Sequence, residues 1–226
     1  MSFEGSDLDM PQPIHYSTGI PVDFRPEVLF RRPQLALHIA LISYLWNEIE
    51  AKIGVFLAIL SGNEGKTVIS IFTAIQSDVA KRRIIDTIAE LNLNEAEQTK
   101  FQAILKKISE RYVERNRIVH GSWGISPRYP DKLLWGDARD SNLLAVDLVP
   151  LAGKENASAR SAVLLKMQKK LLVYGEKDFL DIESRIKIVS DELELFCAPF
   201  ISRALYDHGF VLNRKSPEPE EKLQPS

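Results

Sequence analysis

Residues 94–121 read NEAEQTKFQAILKKISERYVERNRIVHG, and the way this stretch is punctuated decides the fold. Asn94 followed three residues later by Glu97 is a capping-box arrangement, in which side chains meet the orphan backbone donors of a helix start. Gly121 suits the residue just past a helix end, so one helix is expected from Asn94 to His120. On a helical wheel with Phe101 at zero and ~100° per residue, Leu105, Ile108, Tyr112 and Val119 fall within ~40° of zero. They define a buried stripe. Arg115 falls at about −40°, inside that stripe, while Asn116 lands near +60° and His120 near +100°, on its edge. Arg117, near 160°, reads as a solvated charge paired with Glu114.

Burying a guanidinium without a partner costs several kcal/mol, so the stripe position of Arg115 calls for an anion. A carboxylate of the protein and the phosphate of a substrate both meet that need. Asn116 and His120, four residues apart, lie within side-chain reach of each other. Arg115 stands ~140° from His120, so one copy of the helix does not gather all three.

Working outward, a first helix is expected from Pro33, a good first-turn residue, to Ser61-Gly62, where glycine suits the cap. It is apolar on most sides through Leu37, Leu41, Tyr44, Leu45, Ile49, Ile53, Phe56 and Leu60. Such a helix is central in its domain or covered by a second subunit. A second helical region spans Thr67 to Leu91, broken at Ser77-Asp78 with Asp78 as cap. Residues 122–174 lose the helical period. There, Leu133-Leu134-Trp135 and Leu143-Leu144-Ala145-Val146 flank the polar Asp137-Ala138-Arg139-Asp140 and predict a hairpin. Ser161 to Tyr174 stays open between strand and helix. A last helix runs from Glu176 to Ile201 or Leu205, kinked at Pro199. The expected class is mainly α, an antiparallel helical bundle with a small β-hairpin insertion after the helix that ends at His120. The domain covers residues 33–206, with an extended proline-bearing arm at 1–32 whose Val28-Leu29-Phe30 packs on the body. Residues 207–226, ending SPEPEEKLQPS, have the composition of a disordered tail.

The net charge of −2 and pI of about 6.1 give no global basic field, so a pure nucleic-acid binder is disfavoured and any RNA contact is local. Cys197, the single cysteine, excludes disulfide, CxxC redox and cysteine–zinc patterns and reads as a buried thiol. The start MSFEGSDLDM carries no secretory signal, and Asn47, Glu48, Glu50 and Lys52 interrupt the longest apolar stretch. A cytoplasmic protein without membrane spans is expected. His38 reads as packed within the first helix; His15 and His208 fall near the ends. Asn63-Glu64-Gly65-Lys66-Thr67 lacks the earlier glycine and preceding strand of a phosphate loop and reads as a helix–helix turn.

An arginine, an asparagine, three residues of which two are apolar, and a histidine, late in a helix of a helical protein, resemble the signature of the HEPN superfamily. Gly121, Trp123, the tryptophan-bearing first helix and the late helix opening after Tyr174-Gly175-Glu176-Lys177-Asp178-Phe179 resemble its bacterial members. The resemblance spans residues 33–206 as pattern, and Arg115 to His120 as motif. It implies a metal-independent endoribonuclease of toxin or phage-defence type, a homodimer whose two motif helices face each other, and a 2′,3′-cyclic phosphate product. It implies catalytic roles for Arg115, Asn116 and His120, no cofactor, RNA as substrate and a nucleotidyltransferase-type antitoxin as partner. Tyrosine, frequent shortly after the histidine in toxin members, is replaced here by Ser122 and Trp123. The alternative is a catalytically inactive dimerisation or binding module of the same fold, with Arg115 held by Glu48, Glu50 or Asp86.

Overall fold

A computed structural model describes residues 11–14, 21–153 and 156–207. Its helices are α1 (Pro33–Leu60), α2 (Gly65–Ala74), α3 (Asp78–Asn92), α4 (Glu95–His120), α5 (Ala138–Leu148), α6 (Ala157–Gln168) and α7 (Glu176–Asp207). Short strands β1 (Gln12–Pro13), β2 (Gly121–Gly124), β3 (Leu133–Asp137) and β4 (Leu172–Tyr174) form one sheet in the order β1-β4-β3-β2, antiparallel throughout. The protein is thus mainly α with a small antiparallel sheet, as its periodicity predicts. No helix among the described residues is long and apolar enough to cross a membrane. His15, His208 and the tail from Asn213 lie outside the described residues.

The chain divides into two compact units, one made of residues up to Lys52 and Glu95–Leu193, the other of Ile53–Asn94 and residues from Glu194 onward. In the first unit, three helical stretches pack through Ile42, Ile49, Phe101, Leu105, Ile118, Phe179 and Ile186, all at most 2% exposed. Each such side chain contributes about 1.5–3 kcal/mol by leaving water. Polar pairs fix the helix directions. His38 Nδ1 meets Glu183 Oε1 at 2.6 Å and Lys52 Nζ donates to Ser190 Oγ at 2.9 Å, so α1 and α7 run the same way. Glu114 pairs with Arg185 and Lys107 with Glu192, so α4 runs opposite to α7. His38 is packed as expected, its ring stacked on Phe179 at 5.8 Å.

The sheet has its own small core of Ile14, Leu134, Leu171 and Val173, with Phe24, Tyr129 and Met167 against it. The stretch before α1 is not extended throughout: Asp23 bridges Ile125, then Pro26–Arg31 form a 3-10 turn that buries Val28 and leaves Phe30 exposed.

The hairpin expectation needs correcting. Leu133–Asp137 is a strand, but it pairs with Gly121–Gly124, not with Leu143–Val146. The latter segment belongs to α5, because Asp137 caps a helix, its carboxylate accepting from the Arg139 N–H at 2.8 Å. Aspartate serves turns and caps equally well, and the caps win here. The open segment 161–174 is helix to Gln168, then strand from Leu172.

In the second unit, Gly62 takes φ 57°, the left-handed cap that the sequence predicts after α1. The break between α2 and α3 falls as expected, yet the cap is Ser77, whose side chain accepts from the Ala80 N–H, rather than Asp78. Phe56 packs edge-on to Phe196 and Phe200, and those two rings are tilted against each other, with centroids 5.3–5.6 Å apart. Helix α7 continues through Pro199.

Candidate functional site

An α-helix leaves its last four carbonyls without intrahelical donors. In α4, two of these are met by indoles. Trp123 Nε1 donates to the Ile118 carbonyl at 3.2 Å, and Trp135 Nε1 to the Arg117 carbonyl at 2.6 Å. The two tryptophans are directly opposite partners of the β2–β3 ladder, so the sheet clamps the end of the motif helix. Trp123 also packs edge-on to Tyr174 at 5.2 Å and against Phe179 at 5.7 Å.

Gly121 ends α4 as expected, for a different reason. It is the first residue of β2, and among the described residues only Gly62 has positive φ. A Cβ at Gly121 would overlap the Trp135 indole, lying 2.7 Å from Cε2 and closer still to Nε1. The glycine is there to admit the ring that caps the helix.

The clamp rotates the buried face of the last turn. Phe101, Leu105 and Ile108 are buried as the wheel predicts, but near the end the fully buried residue is Ile118, at about −100°, rather than Val119. His120, on the far flank, is exposed, and its side chain bonds to no other described residue. Arg115 is half-buried: Nη1 donates to Asn116 Oδ1 at 2.9 Å, while Nε is shielded from solvent with no hydrogen bond. It has no ion pair among the described residues. Glu50 accepts instead from Trp46 Nε1, and Asp86 holds Arg82. The structure therefore joins Arg115 to Asn116 and leaves Arg115 apart from His120 within one chain, as the ~140° separation requires; Asn116 and His120, though four residues apart, form no side-chain hydrogen bond.

Arg117 and Glu114 depart from the expected surface pair. Glu114 is bound by Arg111 Nη1 at 3.0 Å and by Arg185 Nη2 at 3.3 Å. Arg117 instead lies over the Trp135 ring, 5.9 Å from its centroid, in cation–π geometry. It also lines a small hollow with Pro11, Glu114, Tyr174, Ile182 and Arg185. Burial pushes the Tyr174 phenol up to about 12, against the pull of the Arg117 charge beside it. Asp178 accepts from the Gly175 N–H at 2.7 Å, closing the start of α7. Sequence reasoning did not find this second cluster. Its members are spread from Pro11 to Arg185, and the one local signal was a second arginine on the motif helix.

Among the described residues, no three His, Cys, Asp or Glu side chains are grouped as metal ligands. Compared with protein-family models, curated proteins and solved structures, the chain matches none.

Proposed function

We propose that the chain is a metal-independent endoribonuclease of the HEPN type, acting in the cytoplasm in a toxin or phage-defence role. The observation that carries this reading is Arg115: a half-buried guanidinium whose bond is to a neutral amide, with no carboxylate paired to it among the described residues. A cation so placed is an open demand for an anion, and a scissile phosphate satisfies it.

Asn116 fixes one edge of the guanidinium through its Oδ1 and leaves the remaining N–H groups for phosphate oxygens. His120, solvent-accessible at the end of the same helix, supplies the proton transfer. The site is composite. Two copies of α4 facing each other place Arg115 of one chain near the partner's His120, which one copy cannot do. Exposed apolar side chains support a homodimer: Val113, about 20° from His120 on the wheel, is 60% exposed. On α1, Leu37, Leu41 and Tyr44 are exposed at helical spacing, which is the uncovered face expected of a helix that a second subunit buries.

In the reaction, the 2′-oxygen attacks the adjacent phosphorus and gives its proton to one His120 imidazole. The P–O5′ bond breaks, the 5′-oxygen takes a proton from the other copy's imidazolium, and a 2′,3′-cyclic phosphate remains. Arg115 stabilises the charge on the phosphorane oxygens. Toxicity of such an activity implies a neutralising partner, for which a nucleotidyltransferase-type antitoxin is our candidate.

The test is cleavage of a mixed RNA pool in EDTA. Wild type should leave cyclic-phosphate ends, and Arg115→Ala and His120→Ala should each lower the rate by about 10²-fold or more. Mixing the two variants gives hybrid dimers with a single His120, and because the reaction uses both imidazoles their activity should stay far below wild type. Undiminished cleavage by either single variant would overturn the assignment, and an inert wild-type protein would favour the binding-module alternative.

A further inference from the structure

The loop that follows β2 and the residues just before α1 enclose a hollow of about 490 Å³. Asp23 and Ile125 join its two sides through paired backbone hydrogen bonds, 2.9 Å each way. Pro21, Pro127 and Pro130 stand in its walls, and their fixed φ makes those walls stiff. Arg31 and Arg32, at the end of the 3-10 turn, bring two guanidinia to the lining. Neither has an acid of its own among the described residues. Asp23, the one carboxylate in the lining, is held by Arg25 through Nε at 2.9 Å and Nη2 at 2.7 Å. Those hydrogen bonds keep its carboxyl down at about 2, and it feels the Arg31 charge more weakly than that of Arg25. Arg32 Nη1 donates to a neutral acceptor, the Arg31 carbonyl, at 2.8 Å, and its Nε is shielded from solvent without a hydrogen bond. The six residues before Pro21, HYSTGI, contain no aspartate or glutamate. Ser126, 2% exposed, accepts from the Arg128 N–H at 3.3 Å, which leaves its hydroxyl proton to donate.

We infer that this hollow binds a phosphate monoester of about mononucleotide size, with the phosphate on Arg31, Arg32 and the Ser126 hydroxyl and the rest against the prolines. Size decides the class. Pockets for whole small ligands run from ~300 to ~1,000 Å³, so the hollow has room for more than the phosphate. Charge decides the head group. A monoester carries about −1.5 to −2 at pH 7, which matches two guanidinium forks better than the single charge of a carboxylate or a diester. The monoester is either a free nucleotide or the 5′-terminal nucleotide of an RNA strand. The site is separate from Arg115, Asn116 and His120 and does not rest on the reading given to them. Strand β2, 4 residues long at ~3.3 Å per residue, runs between His120 and the hollow.

Full-length protein is titrated by calorimetry with adenosine 5′-monophosphate, adenosine and inorganic phosphate, at ionic strength held constant with chloride. The nucleotide should bind at least about tenfold more tightly than either part. A 2′-O-methyl oligonucleotide, which has no 2′-hydroxyl to attack, is titrated with and without a 5′-phosphate. Tighter binding of the phosphorylated strand than of the nucleotide assigns the RNA end, and the reverse order assigns the free nucleotide. Arg31→Gln and Arg32→Gln should each weaken binding by at least about tenfold. Arg31 is exposed, so its variant keeps the fold even where the half-buried Arg32 is needed for it. Asp23→Asn, which retains the backbone bridge to Ile125, should tighten binding several-fold, a change of sign that loss of folding cannot produce. Arg115→Ala should leave the affinity unchanged. The inference is overturned if no phosphate ligand binds beyond chloride, or if either part binds as tightly as the nucleotide. It is also overturned if Arg31→Gln has no effect, if Asp23→Asn weakens binding, or if Arg115→Ala abolishes it and so moves the phosphate to the motif helix.

Discussion

Gly121→Ala is the sharpest test of how the motif helix is held. A methyl at this position cannot coexist with the Trp135 indole where it stands, 2.7 Å from Cε2 and nearer to Nε1. Either the backbone of β2 gives way or the indole leaves. Forcing one carbon into such a contact costs about 1–3 kcal/mol. Displacing the ring also breaks its 2.6 Å bond to the Arg117 carbonyl, a further ~0.5–1.5 kcal/mol. The expected loss is therefore about 2–4 kcal/mol. An unstrained glycine-to-alanine change would instead gain ~0.4–1 kcal/mol by narrowing the unfolded ensemble, so the sign alone is informative. Trp46, Trp123 and Trp135 all belong to the first compact unit. Their fluorescence during urea unfolding reports on that unit, and the midpoint should fall at unchanged slope. In a Trp135→Ala background the alanine should become neutral or stabilising, a coupling of at least about 2 kcal/mol. If Gly121→Ala costs the same with and without the indole, the ring is not the reason for the glycine.

Two further outcomes follow from the same region. Ile118→Ala, at a fully buried position on the clamped turn, should cost about 2–5 kcal/mol in the same urea assay; a loss under 1 kcal/mol would mean that the last turn is not packed. Tyr174 has a folded-state pKa raised from 10.0 to about 12. The contribution is fully present below pH 10 and is lost as pH rises through 12, by about 3 kcal/mol at ~1.36 kcal/mol per unit. Tyr174→Phe should flatten that alkaline limb, and an unchanged limb would remove Tyr174 as its source.

The helices were legible because burial repeats along them. Pro33, Gly62 and the break at Ser77 marked boundaries with residues whose backbone preferences leave few options. The motif helix, Arg115 as its anomaly and the separation of Arg115 from His120 could be read by counting angles. The strand pairing could not. Leu143–Val146 is as apolar as a strand, and only the capping bond from Arg139 to Asp137 turns it into a helix. The wheel also missed the rotation that exposes His120 and buries Ile118, because it is imposed by indoles five and eighteen residues downstream of the carbonyls they cap. Glu114, Arg185 and Tyr174 meet through packing, and no spacing in the chain announces it.

The absence of any linker between His120 and Gly121 has a mechanical consequence. A helix advances its side chains by ~100° per residue, a strand by 180°, and here one becomes the other without a residue between. Inserting a residue at this junction would turn the whole motif by a fixed step or invert the tryptophan ladder, with no intermediate setting. A residue added between β2 and β3, around Pro127–Lys132, leaves the phase of both elements alone. Tolerance to length change in this segment should therefore be all-or-none at the junction and permissive a few residues later, so the hairpin works as an index pin for the motif helix.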